Sequence, residues 1–194
     1  MTVTDKINHL RSAMSDHKLN AWILPSADPH ASEYTPDYWQ GRVWASGFTG
    51  SAGTLMVLDD KAGLWTDGRY HIQAAEELAG SGIDLFKAGL PETPDMIDWL
   101  VDVLPEGARI GFDGKVISYQ FKQKLEKLCA TKNISVHGEV DVLNEAWPDR
   151  ASLPLNPIFE LPLKYAGTSR TEKLTQLRAD MKKRAVDTQL ITTL

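Results

Sequence analysis

The chain has 194 residues, 42% hydrophobic and 24% charged, which is ordinary for a soluble globular protein and long enough for one well-buried core. Its formal net charge of -5 argues against a nucleic-acid partner, because phosphate backbones select basic faces. The lone Cys129 excludes an intramolecular disulfide and a cysteine-rich metal site, and neither a signal core nor a run of roughly 20 apolar residues is present, so the expectation is a soluble cytoplasmic protein with no membrane partner.

In chain order, residues 5–19 place Ile7, Leu10 and Met14 on one helical face. "AWIL" follows as a strand ending at Pro25, and "TLMVL" (54–58) and "GLWT" (63–66) are two more strands joined at Asp59 and Asp60. A helix is expected over about 68–79 with Ile72, Ala75 and Ala79 inward, then a strand at 83–88. "TPDMIDWLVDVL" (93–104) reads as a helix with Thr93 as N-cap, Pro94 in the first turn, and Ile97, Leu100, Val101 and Leu104 facing a core. A strand at 109–112, a helix at 118–130 started by Ser118 and a strand at 134–136 complete the pattern. Strands and helices alternate in the second half while the early strands are adjacent. The fold class is therefore α/β: a layered domain with a mixed, partly parallel sheet flanked by helices.

From Trp147 the texture changes. Pro148, Pro154, Pro157 and Pro162 are too dense for helix or central strand and mark an extended linker, packed in part by Leu153, Ile158 and Phe159. "TDKINHLRSAM" (4–14) then returns as "TEKLTQLRADM" (171–181) at a constant offset of 167, with Leu174, Leu177 and Met181 repeating Ile7, Leu10 and Met14. Strand-like "TQLITTL" (188–194) takes the place of "AWILPSA". The expected organisation is a domain over 1–146, a proline-rich linker over 147–168, and the start of a second, similar domain over 169–194. A helix and one strand cannot bury a core, so the chain reads as a piece of something longer.

Two stretches concentrate chemistry. In "SGFTGSAGT" (46–54), three glycines permit close backbone approach, but the Gly-Lys-Ser/Thr ending of a phosphate-binding P-loop is missing, and Thr49 stands where a nucleophile elbow around Ser51 needs glycine. A tight turn and ligand contact through the loop amides of 47–53 are both open readings. "GLWTDGRYHIQAA" (63–75) gathers Asp67, Arg69, Tyr70 and His71 where a buried strand meets a helix. Asp67 suits an N-cap, and Arg69 can clamp a carboxylate, Asp67 or Glu33. No nucleophile or second convergent acid completes a catalytic set. The histidines lack metal-ligand spacing, Asp28, His30 and Glu33 are the one weak hard-metal candidate, and the acids of "DVLNEAWPD" and "AAEEL" read as solvated.

"PSADPHASEY" (25–34), "WASGFTGSAGT" (44–54), "LWTDGRYHIQA" (64–74) and "DWLVDVLPEGARIGFD" (98–113), taken together, resemble the N-terminal domain of the Xaa-Pro aminopeptidases (aminopeptidase P) of the creatinase/prolidase group, from about residue 5 to 194. The resemblance implies the creatinase/prolidase N-terminal fold, with a ribonuclease H-like motif, followed by a second similar domain and a catalytic domain. It also implies a parent metallopeptidase that releases an N-terminal residue preceding proline. Two divalent metals, manganese in many members, are held by Asp, Asp, His, Glu and Glu in the catalytic domain, none of which maps onto this chain. The chain alone is then expected to hold no catalytic residue, metal or cofactor and to be inactive. Its implied partners are its own catalytic domain, a second subunit, and peptides with proline second. Some members carry an arginine pair before "SGF", where this chain has Gly41-Arg42.

Gly50, Ser51, Asp67, Arg69, Tyr70 and His71 are the candidate residues for a substrate-entrance or subunit-contact face. The rival readings are a free-standing module gripping a phosphate or small anion with loop 47–53, and an acid-based nuclease, against which the negative charge counts.

Overall fold

The computed structural model describes residues 1–191, which fall into two compact units divided between Leu153 and Pro154. In the first unit, helix α1 (Val3–Asp16) leads into β1 (Ala21–Pro25); α2 (Gly41–Ser46) precedes β2 (Thr54–Leu58) and β3 (Ala62–Thr66). Then come α3 (His71–Glu77), β4 (Asp84–Lys87), α4 (Met96–Val103), β5 (Arg109–Phe112), α5 (Tyr119–Cys129), β6 (Ser135–His137) and α6 (Leu143–Ala146). The six strands form one mixed sheet in the order β4-β3-β2-β1-β5-β6. Only β2 runs against its neighbours; the β3–β4, β1–β5 and β5–β6 pairs are parallel. The carboxyl ends of β1, β3, β4, β5 and β6 therefore share one edge, and the long β1–β2 connection leaves and returns there.

Both sheet faces are covered, which is why the central strands read as unbroken apolar runs. Trp22, Leu24, Leu55, Val57 and Leu64 pack under α1, α3 and α6 through Leu10, Met14, Ala74 and Leu143. Ala21, Ile23, Met56 and Ile110 pack on the opposite face against α4 and α5 through Leu100, Leu125 and Cys129. The layered α/β architecture is as the sequence indicated.

Several local expectations are corrected. Helix α3 is shorter than 68–79 and buries Ala74 and Leu78, whereas Ala75 and Ala79 are exposed and Ile72 is 79% exposed. Ala74 and Leu78 lie about 40° apart on the helix, while Ile72 lies about 120° away from Leu78, so one face cannot take both. The α4 N-cap is Asp95, not Thr93, accepting the Ile97 amide at 2.9 Å. Pro94 stays ahead of the helix, and its carbonyl accepts the Trp65 indole N–H at 3.1 Å. The helices α2 and α6 and a 3-10 turn at Asp37–Trp39 are additional to the sequence reading.

The second unit contains α7 (Leu163–Ala166) and α8 (Arg170–Lys183). Leu153, Ile158 and Phe159 are not packed as expected but 45%, 102% and 80% exposed. Residues 188–191 form no strand, and the rest of the strand expected over 188–194 lies outside the described residues. Helices α1 and α8 match in detail at the offset of 167. Each has 14 residues and opens with a capping box, Thr2 with Asp5 and Ser169 with Glu172. Each is followed, two residues past its end, by a residue of positive φ, Lys18 at 55° and Ala185 at 53°. What differs is burial: Leu10 is fully buried, and its counterpart Leu177 is partly exposed. Leu10→Ala is accordingly expected to cost about 3 kcal/mol and Leu177→Ala under about 1 kcal/mol in this chain, read by urea unfolding.

Candidate functional site

At the shared strand edge, the loop 47–53 is held from below by one buried cation. Arg42, on α2, is 3% exposed. Its Nε donates to Ser26 Oγ at 2.6 Å, Nη1 to the Phe48 carbonyl at 2.9 Å, and Nη2 to the Gly50 carbonyl. Burial lowers its pKa to about 10, so it is fully charged at neutral pH. Ser26 Oγ passes the network on to the Gly53 carbonyl at 2.9 Å, and Thr66 Oγ1 donates to the Ala52 carbonyl at 2.6 Å. Four loop carbonyls are thus turned inward onto fixed donors, and Gly47 ends α2 at φ 74°.

The loop is also clamped from the side. Glu77 of α3 accepts the Thr49 amide and the Thr49 hydroxyl, both at 2.7 Å, and Gln73 donates to Thr49 Oγ1 at 2.8 Å. Burial acts to raise the Glu77 pKa, but the Thr49 bonds outweigh it and keep the carboxyl below its usual range. The reading of the "AAEEL" acids as merely solvated is therefore corrected for Glu77. The anion-module reading also loses support, because a carboxylate already occupies the Thr49 amide and would repel a bound phosphate.

The two stretches singled out in the sequence meet here. Ser51 Oγ and Tyr70 Oη are 2.7 Å apart. Gly50 lies against Phe48 and Tyr70 so closely that a Cβ would fall 2.3 Å from Phe48 Cζ and 2.8 Å from Tyr70 Cδ1, which is why glycine stands there. Asp67 is not the α3 N-cap; that position is Tyr70, with no side-chain cap. Instead Asp67 accepts the Arg69 amide at 3.0 Å and pairs with the guanidinium through both oxygens, Nε–Oδ1 at 3.0 Å and Nη2–Oδ2 at 2.9 Å. A two-residue turn with a bidentate pair outcompetes the cap. His71 faces the backbone, its Nε2 lying 3.2 Å from the Thr66 carbonyl. Loops 33–40 and 49–51 enclose a cavity of about 180 Å³ lined by Glu33, Tyr34, Trp39, Gln40, Arg42 and Ser51.

The Arg69 side-chain bonds, followed by its amide, lower the Asp67 pKa to about 2. The folded value lies below the unfolded one, so the pairing is present above about pH 4 and is lost as pH falls through about 2. Carboxyl NMR titration should give Asp67 a midpoint near 2, and Arg69→Ala should return it toward the ordinary carboxylate range.

Asp28 is buried and its Oδ1 accepts the amides of His30 and Ser32 at 2.9 and 3.0 Å, which folds the loop locally. Among the described residues, no group of three or more His, Cys, Asp or Glu side chains converges as a metal site, and no helix is long and apolar enough to cross a membrane.

Comparison with known proteins matches residues 6–144, well over half the chain, to the Creatinase/Prolidase N-terminal domain, and residues 149–194 to a second family of the same description. The chain belongs to the creatinase/prolidase N-terminal domain family. Its sequence is 39% identical over 183 residues to aminopeptidase P2 of Arabidopsis thaliana, covering 92% of this chain and 26% of that protein. It is 34% identical over 206 residues to Xaa-Pro aminopeptidase app-1 of Caenorhabditis elegans, covering 100% and 33%. The crystal structure of the Caenorhabditis elegans X-prolyl aminopeptidase, described as a cytosolic enzyme with a di-nuclear active site, superposes with a TM-score of 0.85 at 32% identity, over 96% of this chain and 32% of that one. A Corynebacterium diphtheriae creatinase/prolidase-like N-terminal domain shares the fold, with a TM-score of 0.52 at 21% identity over 71% of this chain and 98% of that one. The chain thus spans about a third or less of the length of the curated relatives it matches.

Proposed function

We propose that this creatinase/prolidase N-terminal domain is the non-catalytic leading part of an Xaa-Pro aminopeptidase, working on peptides with proline at the second position. Residues 1–146 form its first domain, 147–168 a linker, and 169–194 the opening of a second domain of similar build. The bond-breaking chemistry is supplied by two divalent metals, manganese by expectation, held in the downstream catalytic domain of a cytoplasmic enzyme. The observation that carries this reading is the match of nearly the whole chain to about a third of the Caenorhabditis elegans enzyme.

Within that enzyme, the rim of Gly50, Ser51, Asp67, Arg69 and Tyr70 faces the catalytic domain or a second subunit and narrows the entrance to the metal centre. The support is physical. The rim is rigidly built, yet its outermost groups point to water: the Arg69 side chain is 67% exposed and keeps its charge at every accessible pH. Asp67 takes Nε and Nη2, which leaves the Nη1 edge of this exposed guanidinium to a peptide carboxylate or an acidic group across an interface. A wall of this kind admits a flexible peptide end and excludes a folded chain.

Arg69→Ala in the longer protein is expected to lower kcat/KM on an Xaa-Pro peptide by about tenfold or to shift the oligomeric state, with the melting temperature unmoved. Unchanged kinetics, assembly and melting would remove the rim from the function.

A further inference from the structure

The sheet carries a second polar point, at its topological switch. From β1 the chain lays β2, β3 and β4 outward on one side, then crosses over to place β5 and β6 on the other. In open α/β sheets, the crevice beyond the carboxyl ends of the strands at such a reversal is where bound molecules sit. Here β1 ends at Pro25 and β5 at Phe112, with Asp113 next. A cavity of about 20 Å³ lies there, and its lining includes Trp22, Pro25, Trp39, Asp113 and Arg150.

The hydrogen bonding around it is incomplete. The Arg150 side chain is only 5% exposed. Its Nε donates to the Tyr38 carbonyl at 3.0 Å, and its Nη1 to Asp141 Oδ2 and Asn144 Oδ1, both at 2.7 Å. The reading of the "DVLNEAWPD" acids as solvated is thereby corrected for Asp141, 17% exposed. Nη2, although buried, donates to nothing among the described residues, and the same holds for Trp22 Nε1. Asp113 is 9% exposed and spends Oδ1 on the Lys115 amide at 2.9 Å. Burial, and then the charge of Asp141, raises the Asp113 pKa above its usual range, with Arg150 acting in the opposite sense. Asp113 therefore lines one small cavity with Arg150 and Arg42, and among the described residues Arg150 pairs with Asp141 and not with Asp113.

We propose that this cavity is a hydration site, holding one buried water that accepts from Arg150 Nη2 and donates to the Asp113 carboxylate, with Trp22 Nε1 as a further donor in the same lining. A water needs roughly 10–15 Å³ of such space and two to four polar partners; the cavity has the volume, and Arg150, Asp113 and Trp22 in its lining offer the polar groups. The space is too small for a phosphate or an organic solute. A bridging water is nearly as favourable as a direct hydrogen bond, whereas a stranded buried donor is costly. The water ties the end of β5 to the segment that bears Arg150, and Arg150 in turn holds the Tyr38 turn just ahead of α2. It thus fixes the end of the first unit against the helix that carries Arg42.

A high-resolution crystal structure of the chain tests this directly. The expected result is one ordered water within about 3.2 Å of both Arg150 Nη2 and an Asp113 carboxylate oxygen. A direct Arg150–Asp113 bond, or a cavity without density, overturns the proposal. Asp113→Asn keeps Oδ1 for the Lys115 amide and an oxygen or amide for the water, so its crystal structure should show the same ordered water, and loss of the water with the Lys115 bond intact would also overturn the proposal.

Discussion

Arg42→Met is expected to destabilise the chain by about 3–5 kcal/mol, lowering the melting temperature by about 10 °C. Methionine matches the length and apolar body of arginine but supplies no donor. The carbonyls of Phe48 and Gly50, both buried, and the half-buried Ser26 hydroxyl would lose the cation they face. An unsatisfied buried acceptor costs about 1–3 kcal/mol, and the two carbonyls meet that penalty at once. Lysine at this position recovers at most part of the network, because an ammonium cannot reproduce a planar fork. Arg42→Lys should therefore fall between wild type and Arg42→Met. Hydrogen exchange at residues 47–53 should accelerate in step. A loss under about 1 kcal/mol for the methionine variant would mean that the loop holds itself.

Phe48→Ala is expected to cost a similar amount, about 3–5 kcal/mol, by a different mechanism. Phe48 is fully buried, and its ring lies under the Arg42 guanidinium, 4.9 Å from ring centroid to Cζ, and edge-on to Tyr70 at 5.9 Å. Truncation opens a cavity beneath Gly50 and removes the floor on which Tyr70 and Ser51 meet. Since Arg42 and Phe48 support the same loop, the double variant should lose clearly less than the sum of the two single losses. Urea unfolding of the four-member cycle measures this. Strict additivity would show that the two residues act on separate structures.

These two residues also mark where sequence reasoning ran out. The apolar spacing of Ile97, Leu100, Val101 and Leu104, the Ser118 cap and the runs at 54–58 and 109–112 were legible because helix and strand periodicity is local. Asp67, Arg69, Tyr70, Gly50 and Ser51 stood out as unusual clusters. What makes a rim of them is not local: Glu77 reaches Thr49 across 28 residues, and Arg42 reaches Ser26 across 16. Nothing in the "AAEEL" or "QGRVW" stretches announces such reach. The signals for Arg42 were an arginine shortly before a glycine-rich loop, whose inward carbonyls need a donor, and the arginine pair of some family members, met here as Gly41-Arg42. The Asp67 misreading has a sharper cause. A cap and a two-residue turn draw on the same side-chain oxygen, and the choice depended on Arg69 bending back to pair with it. The repeat at 171–181 was legible as a helix, but its exposure was not, since burial depends on what packs against it.

The claim on which this account turns is that the chain is a scaffold whose bond-breaking partners lie outside it. Purified chain and the longer protein, each supplied with manganese, should be compared for hydrolysis of an Xaa-Pro peptide. The account predicts no turnover from residues 1–194 and chelator-sensitive turnover from the longer protein. Chelator-sensitive hydrolysis by the chain alone, surviving rigorous purification, would contradict it.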